Sequence, residues 1–99
     1  MIIVAGEFVL APEDAAAARD AAIEVARETR KEAGCLAYRF YADLEEKGRF
    51  HVFEIWESLA ALQAHFETPH LKAFRARLGG LGLVSREVKR YEAGPGETL

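Results

Sequence analysis

Between Phe50 and His70 the chain reads FHVFEIWESLAALQAHFETPH, which sets a carboxylate at Glu54, an indole at Trp56 and an imidazole at His65 into a stretch that is otherwise apolar. A carboxylate and an imidazole held together away from water can take up and pass on a proton, and an indole beside them offers a flat apolar surface. Val52, Glu54 and Trp56 fall at period two and share one face of a strand, while His51, Phe53 and Ile55 share the other. Ser58 is then suited to cap a helix, and Leu59, Leu62 and Phe66 follow at helical spacing. If that helix folds back over its own strand, its rise from Ser58 to His65 and the strand length from Glu57 to Glu54 are both about 10 Å, which sets His65 over Glu54. Each of these residues also has a plain core role. Glu54 is the hardest to read that way, because a carboxylate between Val52 and Trp56 is costly to bury alone.

The elements that must position this stretch follow from the rest of the chain. Ile2 to Leu10 is apolar at both parities and predicts a strand buried on two faces. Pro12, Glu13 and Asp14 suit a helix start, and an apolar stripe through Ala15, Ala18, Ala22, Val25, Ala26 and Ala33 runs to a stop at Gly34. Cys35 to Asp43 predicts a second strand, with Leu36, Tyr38 and Phe40 on one side, and a charged loop closes a hairpin onto the strand of Glu54. With Asp43 facing Arg49 across that loop, Tyr38 lies opposite Glu54 and Leu36 opposite Trp56; a one-residue slip would exchange the faces. Thr68-Pro69 breaks and restarts the second helix, Gly79-Gly80 ends it, and Leu81 to Tyr91 is a last strand.

This βαββαβ order predicts an α+β, ferredoxin-like domain over residues 1–92, a four-stranded antiparallel sheet with its helices on one face, followed by a mobile tail over 93–99. Helices on one side leave the other side of two apolar strands bare, so a second copy of the chain is expected to cover it.

Composition sets the outer limits. At 99 residues, with 51% hydrophobic residues, the chain has room for one core. A net charge of −3 argues against nucleic acid as partner. One cysteine permits no internal disulfide, and no Cys/His spacing indicates a metal site. No apolar run reaches membrane length, so a soluble, unprocessed, cytoplasmic protein is expected, with no membrane partner.

The residues Glu54-Ile55-Trp56-Glu57-Ser58, Ala61-Leu62-Gln63-Ala64-His65-Phe66 and Thr68-Pro69-His70, preceded by Gly34-Cys35-Leu36-x-Tyr38, resemble the antibiotic biosynthesis monooxygenase family, close to its quinol monooxygenase branch. The resemblance covers residues 2 to 92. It implies a dimeric α+β barrel and oxygenation of a quinol or an anthrone-like polycyclic phenol by dioxygen without cofactor or metal. It matches Glu54, Trp56 and His65 to the family's strand Glu and Trp and its helix His. The haem-degrading branch pairs its Trp and His with an Asn, and this chain contains no Asn, which disfavours haem. On this reading His65 is the general base, Glu54 and Trp56 act with it, and Tyr38, Leu62, Phe66 and Arg86 contact a small aromatic substrate. A proton-transfer isomerase acting on a small phosphorylated metabolite and a non-catalytic aromatic-binding module remain open beside it.

Overall fold

The computed structural model describes all residues 1–99. Strand β1 (Ile2–Leu10) leads through a 3₁₀ turn at Pro12–Asp14 into helix α1 (Ala15–Thr29), and the hairpin β2 (Cys35–Ala42) and β3 (Arg49–Trp56) follows. Helices α2 (Leu59–Phe66) and α3 (Pro69–Gly79) then lead to β4 (Leu83–Glu92). The four strands are antiparallel in the order β2-β3-β1-β4, the ferredoxin-like arrangement.

The helices cover one face. Ile2, Val4, Phe8 and Leu10 of β1 and Phe50, Val52, Glu54 and Trp56 of β3 are buried beneath them, against Ala18, Ala22, Val25 and Ala26 of α1 and Leu71, Phe74 and Leu78 of α3. Alternation along each strand sends the other parity to the far face, where Phe53 is 38% exposed. No helix is long and apolar enough to cross a membrane.

Local chemistry explains the element ends, with two departures from the sequence reading. Ser58 and Thr68 cap α2 and α3, accepting from the backbone N–H groups of Ala61 and Leu71, and Pro69 opens α3. Helix α1, however, ends at Thr29, not at Gly34, and Ala33 lies beyond it and is exposed. From Arg30 the chain tightens into three-residue turns, Lys31 N–H donating to Glu28 and Glu32 N–H to Thr29. Gly34 closes this turn at φ +81°, where a Cβ would stand 2.6 Å from that of Ala61, so the turn lies directly on α2.

The second departure is in the hairpin. Tyr38 does face Glu54, but the register shifts between Cys35 and Ala37, so Cys35 and not Leu36 faces Trp56. Leu36 is the extra residue of this bulge and is 60% exposed.

Candidate functional site

Between the helix face of the sheet and helices α2 and α3 lies a cavity of about 660 Å³. Tyr38, Glu54, Leu62, His65, Phe66 and Arg86 all line it. Trp56 does not: it is fully buried behind the wall, 4.8 Å from the His65 ring between centroids and tilted 34° to it. It therefore backs the imidazole and offers no stacking surface to a ligand.

The polar groups pair differently from the sequence expectation. Glu54, over which His65 is expected, makes no hydrogen bond to it; its Oε1 accepts one from the Trp56 indole N–H at 2.8 Å. Burial pushes the Glu54 carboxyl up to about 7, against the pull of that bond and of the Arg86 and Arg75 charges. His65 is held by Glu32, whose Oε2 lies 2.7 Å from His65 Nδ1 and also 2.7 Å from His70 Nε2. Glu32 is the site residue that sequence reading missed. It stands where an unbroken helix would have continued, and the tightened turn beyond Thr29, pressed onto α2 through Gly34, brings it to the imidazole.

His65 is 2% exposed, and its side-chain hydrogen bond runs through Nδ1 to Glu32, none involving Nε2. Desolvation lowers its pKa, and the bond and charge of Glu32 oppose that shift. Accepting from Nδ1–H, the Glu32 carboxylate leaves the lone pair on Nε2, the arrangement a general base requires. Edge-to-face contact with Tyr38, at 5.4 Å between centroids, fixes the ring from another side. The Tyr38 phenol is itself driven well above its ordinary range by burial and by Glu54, so it stays protonated and able to donate.

Glu32, His65 and His70 form the group whose donor atoms, all within 4.8 Å of one another, could hold a metal ion. Spacing along the chain gave no sign of it, because the three come from a turn and two helices. Both nitrogens stand at hydrogen-bond distance from one carboxylate oxygen, whereas ligand atoms about 2.0–2.1 Å from a tetrahedral zinc ion stand more than about 3 Å apart, so the carboxylate would have to move to admit one.

Comparison with known proteins agrees with this architecture. The family model described as "Antibiotic biosynthesis monooxygenase" matches residues 1–77. An uncharacterised protein of Synechocystis sp. is 36% identical over 101 residues, covering 99% of this chain and 67% of that protein. A solved structure from Deinococcus radiodurans, assigned to the antibiotic biosynthesis monooxygenases, superposes with a TM-score of 0.94 at 31% identity, covering 100% of this chain and 98% of that one. One from Caulobacter crescentus, assigned likewise, gives 0.88 at 26% identity, over 94% of this chain and 89% of that one. These likenesses support a monooxygenase-like role. Since the match takes in both the strand of Glu54 and the helix of His65, and the fold is shared end to end with the Deinococcus protein, this chain belongs to the antibiotic biosynthesis monooxygenase family.

Proposed function

We propose that the cavity is the active site of a cofactor-independent monooxygenase acting on a quinol or an anthrone-like polycyclic phenol, with His65 as general base. The observation that carries this reading is the Glu32–His65 pair: a buried imidazole lining the cavity, tied at Nδ1 to a carboxylate and making no hydrogen bond at Nε2. Such a base removes a proton from the substrate, and the resulting anion is electron-rich enough to pass one electron to dioxygen. The superoxide and substrate radical so formed combine through a new C–O bond. Cleavage of the O–O bond then releases water, which takes back the proton from His65, so that AH₂ and O₂ give A=O and H₂O with no external reductant. Leu62 and Phe66 supply apolar contact to a flat ring, and Arg86 a positive charge in the cavity lining.

Oxygen uptake with a panel of hydroquinones and anthrones tests this. Equimolar oxygen consumption and substrate loss are expected. Turnover without oxygen consumption would instead indicate a proton-transfer enzyme, and saturable binding without turnover a binding module. The purified protein is also expected to be colourless and free of stoichiometric metal, by absorption spectrum and elemental analysis. A bound metal at Glu32, His65 and His70 would overturn the free-base reading.

The far face of the sheet supports a homodimer as the working form. It presents Phe53 and Tyr91 to solvent around a shallow depression that also takes in Ala5, Glu7, His51, Glu87 and Lys89, a surface of mixed apolar and charged groups. Light scattering is expected to give about twice 11.0 kDa. Phe53→Asp, which would bury an unpaired charge in that seam, should shift the protein to monomer or unfold it. A wild-type monomer at micromolar concentration would refute the dimer.

A further inference from the structure

The cavity is lined by Arg75, Arg86 and Arg90, and Glu54 is the one carboxylate lining it. None of these arginines makes an ion pair, unlike Arg49, which pairs with Glu7 and Glu46, and Arg77, which pairs with Glu24, and what sets the three apart from the other unpaired arginines is that they line one cavity. In a protein of net charge −3, this local excess of unpaired guanidinium groups runs against the overall balance.

The sheet register fixes where the charges stand. Tyr38 pairs with Glu54, Glu54 with Val4, and Val4 with Arg90, so these residues form one transverse row across the four strands. Arg86 faces Phe8 two pleat repeats, about 13 Å, along the strand and lies on the same side of β4 as Val88, which also lines the cavity, so the two long side chains must lean toward each other to share a ligand. Two interstrand spacings separate the backbones of Glu54 and Arg90, about 10 Å. Side chains reach into the cavity from both ends of that span, and about two fused rings bridge what is left. Arg75, on α3, stands above with its guanidinium over the Phe66 ring, 5.4 Å from the centroid.

We propose that the cavity takes an anionic aromatic: a phenol or quinol whose ring system carries a carboxylate or a similar oxyanion at the end remote from the reacting hydroxyl, held by Arg86 and Arg90, with Arg75 beside them. This rests on the oxygenase reading above only for which end reacts. The apolar middle of the cavity takes the rings, and the guanidinium fork matches the two oxygens of a carboxylate. A positive rim on an otherwise acidic protein also draws anions toward this one opening. Arginines on an edge strand can serve simply to block unwanted strand pairing. That role gives no reason to distinguish a charged ligand from its neutral twin.

Calorimetric titration with 6-hydroxy-2-naphthoate, 6-hydroxynaphthalene-2-sulfonate and 2-naphthol separates the two roles, because the three share a skeleton and differ at the remote end. The anions are expected to bind about ten-fold or more tightly than 2-naphthol, with the preference shrinking as salt is raised. A carboxylate bound in preference to the sulfonate would identify the planar oxyanion as the natural group. In the Arg86→Gln/Arg90→Gln variant, whose altered side chains are exposed, the ratio should fall to within about two-fold. Equal affinities in the wild type, or a preference that survives in the variant, would overturn the proposal. Binding is read here without turnover, so a protein that prefers the anion yet consumes no oxygen would refute the oxygenase reading and leave this one standing.

Discussion

Replacing His65 with alanine is expected to lower turnover of a quinol substrate by about 10²- to 10⁴-fold, the usual contribution of a positioned general base, while circular dichroism shows the fold retained. The structure assigns the supporting carboxylate to Glu32, 2.7 Å from Nδ1, so Glu32→Gln is the informative companion. The amide keeps the shape and can still accept a hydrogen bond, but it removes the negative charge that steadies an imidazolium. Glu54→Gln should cost less, because Glu54 accepts from Trp56 and not from His65. The pH profile gives a second readout. Burial lowers the His65 pKa and Glu32 opposes that, so wild-type activity should rise with pH through a midpoint below the ordinary histidine value of about 6.5. Removing the Glu32 charge takes away the upward pull, so the midpoint in Glu32→Gln should move to still lower pH as the maximal rate falls. A His65→Ala enzyme with wild-type turnover and pH profile would remove His65 from the mechanism, leaving the cavity to bind a substrate already ionised in solution.

Glu32 also marks where sequence reading stops. The caps at Ser58 and Thr68, the break at Pro69 and the pairing of Tyr38 with Glu54 are local: each depends on residues a few positions apart or on one hairpin whose loop fixes the register, and each was legible. From them His65 is correctly brought over the strand of Glu54 and Trp56. What was not legible depends on packing between distant elements. Nothing in the composition of Arg30 to Ala33 stops a helix, so the sequence places the stop at Gly34; the observed end at Thr29 reflects a turn laid against α2. Glu32 meets His65 and His70 from more than thirty positions away only because of that turn. The Leu36 bulge arises in the same way, at the end of β2 nearest that turn. Strict alternation gives no warning of a residue inserted into one strand alone. The indole type of Trp56 suits a ligand surface. Its indole instead lies beneath His65, with its N–H used by Glu54.

That buried pair makes Trp56 the residue whose loss should cost most in stability. Trp56→Ala removes a side chain with no exposed surface and is expected to destabilise the fold by about 3–5 kcal/mol through lost burial and the cavity left behind. It also leaves the Glu54 carboxylate without its 2.8 Å donor, adding the penalty of a buried acceptor with no partner. Trp56→Phe separates the two effects, since it keeps most of the volume and removes only the N–H. With the Trp56 bond gone, burial acts on Glu54 against less opposition, so its pKa should climb above the value of about 7 that it has in the intact site. The consequence for stability has a definite sign. Glu54 titrates higher in the folded chain than in the unfolded one, so its contribution is fully present below the unfolded value of about 4.5 and is lost as pH rises through the folded value. Denaturant titrations of Trp56→Phe should therefore show a small deficit at pH 5, where Glu54 is protonated in the folded state, and a larger one at pH 8, where wild type must bury an ionised carboxylate held by the indole and the variant must bury it without that donor. A deficit independent of pH over this range would mean that Glu54 does not depend on the indole, and Trp56 would then be a packing residue alone.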